Sequence, residues 1–418
     1  MHPQIPKKNL SGATIIIPLN VHKFFPTDYI PQTAKILQRR NCIVYFDYNH
    51  VISLRTFVTR KPMLQQVWHQ LKQLARHRPG TIIEISPIGF LPFQRIALIR
   101  QINVIIGIYQ LVMCCKVLRF ERLILWGFHP ILALFLRRLR GAFVVYDCLD
   151  YYGEELDGGK RLAFLEREIF TRASLVCFNS QALYKKKLAE FPAIKQKSFV
   201  LPMGCNTSLF RRTRQQSEIM KNIPRPRIIF IGHINYRLNY ELIDKLVAMQ
   251  PLWSFIFVGP VYIERGEDVI GEVKRKIEEL NHFPNVYFLG WQPKQSLPVL
   301  LGSADVGIIP YDIRFGSVRY CSPMKAYEYL ASEKPIVSTK LYSMMELNQR
   351  LVKIATTAQE FSRHIQWFID HWTISDQSLA KKTAYQHRWD KRVSTIEKQI
   401  FNKMHYGKIA TNNRVSTL

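Results

Sequence analysis

Short apolar runs alternate along the chain with longer segments of helical length. In the first half the runs are ATIIIP (13–18), CIVYF (42–46), TIIEI (81–85), RLILW (122–126), FVVY (143–146) and LVCF (175–178). Unbroken apolar strands of this length are buried on both faces, the condition of a parallel sheet built from βα units. The same pattern returns in IIFI (228–231), SFIFV (254–258), NVYFL (285–289), VGIIP (306–310) and PIVST (335–339), with helical segments at 240–249, 267–280, 296–302 and 323–331. Between the two series, LPMGCNTSLF (201–210) and the charged, Pro-containing stretch 211–227 mark a boundary. The pattern predicts an α/β protein of two Rossmann-like domains, 1–210 and 211–383, facing across a cleft, with ligands at the C-terminal ends of the strands. An amphipathic helix is predicted at 384–403, followed by a polar tail, 404–418, that frays.

One helical stretch is unusually apolar, INVIIGIYQLVMCCKVL at 102–118. Its uninterrupted core is shorter than the ~20 residues that cross a membrane. Together with LALFLRRLR (132–140) it reads either as an amphipathic surface docked on lipid with its arginines at the phosphates, or as two core helices with basic outer faces.

Composition bounds the partners. The 418 residues are 47% hydrophobic and 12% aromatic, enough to fill two cores and incompatible with disorder. The net charge is +28, and residues 1–200 hold 29 Lys/Arg against 12 Asp/Glu. Such an excess draws polyanions: nucleic acid, an anionic membrane or phosphorylated substrates; a solvated basic surface is the plain alternative. The chain has no zinc-finger, RNP-type or basic-helix signature, which argues against nucleic acid. Seven scattered cysteines without a CxxC spacing predict reduced thiols. With a polar start at residues 1–9 and no apolar leader, this predicts a cytoplasmic location.

The stretch 302–339, GSADVGIIPYDIRFGSVRYCSPMKAYEYLASEKPIVST, carries the candidate chemistry. It reads as a buried strand, a polar loop, a helix opening at Pro323 that carries Lys325 and Glu328, and a second strand. A helix N-terminus between parallel strands gathers free N–H groups and the positive end of the dipole, so the expected guest is a diphosphate. No Asp-x-Asp occurs in the chain, which predicts that no metal and no cofactor hold that diphosphate.

Several motifs together carry a family resemblance. IIFIGHINYRLNYELI from Ile228, WSFIFVGP from Trp253, NVYFLGWQPKQSLPVLLGSADVGIIPY from Asn285, SPMKAYEYLASEKPIVST from Ser322 and HRWDKRV from His387 resemble the GT-B glycosyltransferases. The likeness is to the family-4-like enzymes of bacterial surface-polysaccharide synthesis, including the teichuronic-acid type. In the first domain, VVYDCLDYYGEEL from Val144 and LVCFNSQALY from Leu175 are similar as well. The resemblance implies a hexosyltransferase that moves a sugar from a UDP- or GDP-linked donor to a lipid-linked or polysaccharide acceptor at the cytoplasmic membrane face, with retention. It also implies a C-terminal helix that crosses back to the first domain.

Carried over residue by residue, the resemblance implies that Gly232 admits close backbone approach and that Arg237 and Lys325 neutralise the diphosphate. Glu328 is the match to a ribose-binding glutamate. Many relatives place a sugar-contacting glutamate eight positions earlier, where this chain has Tyr320; that role passes to Ser317, Arg319 or Tyr320, or is missing. Asp147 resembles the position of a catalytic base, with Asp150 three residues on; His129 and His233 are weaker candidates. Each has a plain alternative: Arg237 a solvated loop cation, Lys325 a surface lysine, Glu328 an ion-pair partner, Asp147 a cap. An inactive GT-B relative acting as a binding or scaffold protein, and an epimerase on the same fold, remain as alternatives.

Overall fold

The computed structural model describes residues 10–19, 29–48, 52–53, 78–89, 91, 96–117, 120, 122–154, 159–211, 213, 215–261 and 267–415, with single positions at 65, 68, 72 and 74. Residues 1–9, whose polar character predicts no leader, and 416–418 lie outside them.

The first sheet has seven strands in the order β4-β2-β1-β6-β7-β8-β9: β1 Thr14–Pro18, β2 Cys42–Phe46, β4 Ile82–Ile85, β6 Leu123–Gly127, β7 Phe143–Cys148, β8 Leu175–Phe178 and β9 Ser198–Val200. A short pair, β3 Ile52–Ser53 and β5 Ile88–Gly89, lies beside it. The second sheet has six strands in the order β12-β11-β10-β13-β14-β15: β10 Arg227–Ile231, β11 Ser254–Val258, β12 Val286–Phe288, β13 Val306–Ile309, β14 Ile336–Ser338 and β15 Val352–Ile354. Each pairing within both sheets is parallel. In each sheet the strand order reverses beside the first strand, between β1 and β6 and between β10 and β13. Loops diverge there and leave a crevice at the C-terminal strand ends.

The helix that carries Lys325 and Glu328 runs Met324–Ala331, with Pro323 at the cap position rather than at the first helical residue. Its seat is fixed by Tyr329, which is fully buried. The Tyr329 ring fills the notch over Gly307 on β13, where any Cβ would collide with it, and its hydroxyl accepts a 2.7 Å hydrogen bond from the Ile231 N–H. A missing side chain on the strand thus lets the helix lie close, one residue before Gly232.

At the C-terminal end the structure has two helices, Ile374–Gln386 and Trp389–Val415, broken at His387–Arg388. A reciprocal Thr373–Asp376 capping box starts the first. The second crosses to the first domain: Trp389 packs on Gly204, and the helix lies against Tyr29–Leu37 and β8.

The helix Ala97–Val117 begins five residues before the expected stretch. Val104, Ile108 and Leu111 are buried, while Leu98 (66% exposed), Tyr109, Met113 and Val117 (73%) form an outward stripe. Residues 132–140 differ from the lipid-docking expectation: Leu132, Ala133, Phe135, Leu136 and Leu139 are buried in the core, so their apolar side faces protein. No helix among the described residues is long and apolar enough to cross a membrane.

Candidate active site in the interdomain cleft

The crevice beside β10 is built on close backbone approach. Gly232 follows β10 at φ +152° and donates to the Val258 carbonyl (2.9 Å); Gly259 follows β11 at φ +143°, where a Cβ would collide with the Gly232 carbonyl. Both conformations suit glycine. A Cβ on Gly232 would also collide with the Lys325 ammonium, so the lysine lies directly against this turn. Lys325 Nζ donates to the Tyr311 hydroxyl (2.8 Å) and sits 3.9 Å from the centroid of the Phe230 ring. Burial pushes its ammonium down to about 7; Glu328 and Cys321 oppose this, and Arg237 adds to it. A lysine whose charge is weakened by burial under a glycine turn suits an anion that restores it.

Arg237 stands on the loop after β10, with its Nε buried and without a hydrogen-bond partner. Its principal charge partner is Asp150, from the loop after β7 of the other domain: burial works most strongly against the guanidinium, and Asp150, Tyr236 and Cys321 together outweigh it. Burial raises the Asp150 carboxyl above the usual range and Arg237 pulls it back. The two charges therefore act on each other between the domains.

The loop that presents Asp150 is tied at three points. Asn179 donates to the Leu149 carbonyl, and the Tyr152 hydroxyl donates to the Phe128 carbonyl (2.9 Å). Tyr151 bonds Glu190 (3.1 Å) and lies under Lys187, whose Nζ is 4.5 Å from the ring centroid. Lys187 in turn pairs with the fully buried Glu166 at 2.7 Å, and Glu166 accepts from Tyr146 (2.8 Å). This network holds the loop still, so Asp150 has a fixed address.

Asp147 has a different environment from Asp150. It is fully buried, and both its oxygens accept from Arg392 of the C-terminal helix at 2.7 Å. Such a bidentate pair is a tie between helix and sheet. Arg319 turns its guanidinium onto the Ile313 and Arg314 carbonyls of its own loop, 3.0 and 3.3 Å away. Ser317 is buried. Tyr320 lies between Tyr151 and Tyr342, with ring centroids at 5.2 and 5.0 Å, and so joins the two domains through aromatic contact. Glu328 is approached by Lys294 at 3.7 Å, and burial raises its carboxyl against the pull of Lys294 and Lys325.

The structure thus gathers Gly232, Arg237, Lys325, Glu328 and Asp150 in one crevice. Asp147 and Arg319 are engaged elsewhere. Sequence reading passed over Lys294, Tyr311 and Gly259, which the fold brings to the same place. The run of glycines at strand ends, Gly232, Gly259 and Gly290, is the signal that marks that crevice. His129, after β6, accepts from the Ile131 N–H through Nδ1 (3.2 Å) and is pushed down to about 4 by burial, so it is neutral. His233 is exposed.

Residues 225–371 match the family described as Glycosyl transferases group 1. The teichuronic acid biosynthesis glycosyltransferase TuaH of Bacillus subtilis (strain 168) is 27% identical over 243 residues, 56% of this chain and 59% of that protein, so the match spans about three fifths of the relative. Among solved structures, Anabaena HepE in complex with UDP-glucose superposes with a TM-score of 0.65 at 17% identity, over 94% of this chain and 99% of that one. Sucrose-phosphate synthase from Thermosynechococcus elongatus gives 0.63 at 14% identity, over 97% and 100%. Residues 225–371 are therefore similar to the group 1 glycosyl transferases, and the chain shares the two-domain fold of these structures.

Proposed function

We propose that this protein is a glycosyltransferase that moves a sugar from a nucleoside-diphosphate donor to a lipid-linked or polysaccharide acceptor, without a metal and with retention at the anomeric carbon. The observation that carries the reading is the Lys325 ammonium lodged against the Gly232 turn, with Arg237 acting on its charge and Asp150 of the other domain acting on Arg237. The diphosphate lies against Gly232 and Gly259; Lys325 and Arg237 take up the charge that develops as the bond from the anomeric carbon to phosphate oxygen breaks. Two fixed cations there do the work that a divalent ion does elsewhere. Glu328 accepts from the ribose hydroxyls, with Lys294 beside it. The acceptor hydroxyl attacks on the face from which the diphosphate leaves, as retention requires, and Asp150 takes its proton, a task its raised carboxyl pKa suits; we assign it the role in place of Asp147, whose lone pairs Arg392 occupies.

UDP and UDP-glucose bound to HepE, and the teichuronic acid name of TuaH, support a nucleotide-sugar donor and a cell-surface product. Resemblance to the family-4-like enzymes supports retention. The outward stripe of helix Ala97–Val117 and the basic first half support a peripheral seat on the inner, anionic face of the membrane, where a lipid-linked acceptor lies.

A thermal-shift screen against UDP-, GDP-, ADP- and dTDP-sugars, followed by nucleotide release with a lipid acceptor in EDTA, tests the reading. Stabilisation by one nucleotide sugar and turnover in chelator are expected. A strict Mg²⁺ requirement overturns metal independence. Binding without turnover selects the second reading, an inactive relative, for which Tyr320, committed to aromatic contact, is the specific observation.

A further inference from the structure

We propose that Glu154 of the first domain supplies the carboxylate that accepts hydrogen bonds from hydroxyls of the transferred sugar; this rests on the transferase reading above and deepens it. Glu154 ends the turn Tyr152–Glu154, on the same tied loop as Asp150. It is exposed, and no ion pair or hydrogen bond holds its carboxylate among the described residues. That carboxylate nevertheless reaches across the cleft to the buried Gly316, the first residue of the short helix Gly316–Arg319 between β13 and the helix Met324–Ala331, where a Cβ would collide with Glu154 Oε2 and Cδ. Only a residue without a side chain leaves the carboxylate this place.

The position decides the chemistry. Beside Gly316, the Phe315 ring packs edge-on against Tyr236 (5.4 Å), the neighbour of Arg237. Glu154 thus reaches the segment that packs on the neighbour of Arg237, and it pairs with neither Arg237 nor Lys325. A carboxylate repels a diphosphate and is an acceptor only, so its fitting guest is a neutral, hydroxyl-rich group adjoining the phosphates. In a nucleotide sugar that group is the sugar. Asp150 and Glu154 stand four residues apart on a loop held by Asn179, Tyr151 and Tyr152, so the proton acceptor and the hydroxyl acceptor arrive together. The second domain reads the nucleotide, and the first domain reads the sugar and the acceptor.

The test separates sugar from nucleotide. Affinities of wild type, Glu154→Ala, Glu154→Gln and Gly316→Ala are measured by calorimetry for the nucleotide sugar that shifts wild type most in the four-donor screen, and for its free nucleoside diphosphate. Glu154→Ala should weaken the nucleotide sugar by about tenfold or more, as the loss of a charged hydrogen bond does, and leave the diphosphate unchanged. Gly316→Ala should reproduce this, because the new methyl expels the carboxylate, the far end of a flexible side chain. Glu154→Gln, which keeps a carbonyl acceptor, should fall between. Equal losses for both ligands, or none, overturn the assignment, since a tie between the domains would move both together. Wild type that binds no nucleotide sugar overturns the transferase reading and this one with it. Wild type that binds normally, beside variants without the selective loss, overturns this one alone.

Discussion

Lys325 sets a pH dependence whose sign follows from its surroundings. Its ammonium, ordinarily near 10.5, is held down to about 7 by burial, with Glu328 and Cys321 facing it as acids and Arg237 as a cation. A diphosphate binds the protonated form, so binding takes up a proton above that value. Donor affinity should be flat below about pH 7 and fall by up to about tenfold per pH unit above it; calorimetry in buffers of different ionisation heat reads both the slope and the proton. Lys325→Met should bind more weakly at pH 6 and lose the slope. A slope unchanged in the variant would move the titration to another group. In the donor-free protein the sign is opposite: keeping this lysine charged opposes folding below about pH 7, and that opposition fades as pH rises toward 10.5. At Glu328, replacement by Ala removes an acceptor for two hydroxyls and should weaken the donor by about tenfold to a hundredfold; unchanged affinity refutes the ribose role. Lys325 and Glu328 were legible because one short helix carries both. The Asp150–Arg237 encounter was not, because the two residues lie in different domains and nothing local in either segment encodes the other.

Among the elements, the helix Met324–Ala331 shows how a strand residue positions a site. Tyr329→Phe leaves the buried Ile231 N–H without its acceptor, a cost of about 1–3 kcal/mol in unfolding free energy. Because Ile231 precedes Gly232, donor affinity should fall with it. Denaturant unfolding and calorimetry on the same variant check the pair; lost stability with intact affinity would separate seat from site. The tie of the C-terminal helix is open to the same treatment. Arg392→Ala strands Asp147 as a buried, uncompensated charge and should destabilise by about 3–5 kcal/mol. A destabilisation no larger than that of an exposed arginine would return Asp147 to the list of free carboxylates. The long strands were legible as unbroken apolar runs between polar segments. The two-residue pair β3 and β5 carries too few positions to stand out from loops, and in β9 and β15 Ser198 and Lys353 interrupt the apolar run, whereas the equally short β12 and β14 sit inside longer ones. Residues 132–140 were ambiguous for a related reason: an apolar helix buried under a sheet and one laid on lipid have the same pattern, and only the neighbours tell them apart.

For the whole molecule, the two sheets divide the work, and the charge is divided with them. The first 200 residues carry most of the excess, 29 basic against 12 acidic residues, and the exposed apolar stripe belongs to the same half. Leu98, Ile102, Tyr109, Met113 and Val117 recur at helical spacing on the outer face of Ala97–Val117, and the Arg138 guanidinium lies 5.2 Å from the Tyr109 ring centroid at its edge. Apolar insertion and phosphate attraction should add: each basic residue near an anionic surface contributes ~1 kcal/mol, and the attraction decays within a Debye length. Co-sedimentation should therefore show binding to phosphatidylglycerol-containing vesicles, weaker binding to phosphatidylcholine, and a steep loss between 50 mM and 500 mM salt. Met113→Glu combined with Val117→Glu should reduce binding at every salt concentration, because it removes the inserted part, while the nucleotide-sugar thermal shift at the distant cleft stays as in wild type. Absence of binding to any vesicle decides against a membrane seat, and two outcomes each remove one contribution: equal partition to neutral and anionic vesicles removes the charge, and unaltered binding in the double variant removes the inserted stripe. The second would assign the stripe to protein contact and leave the basic surface as the only membrane determinant, so salt response and variant response read the two contributions separately.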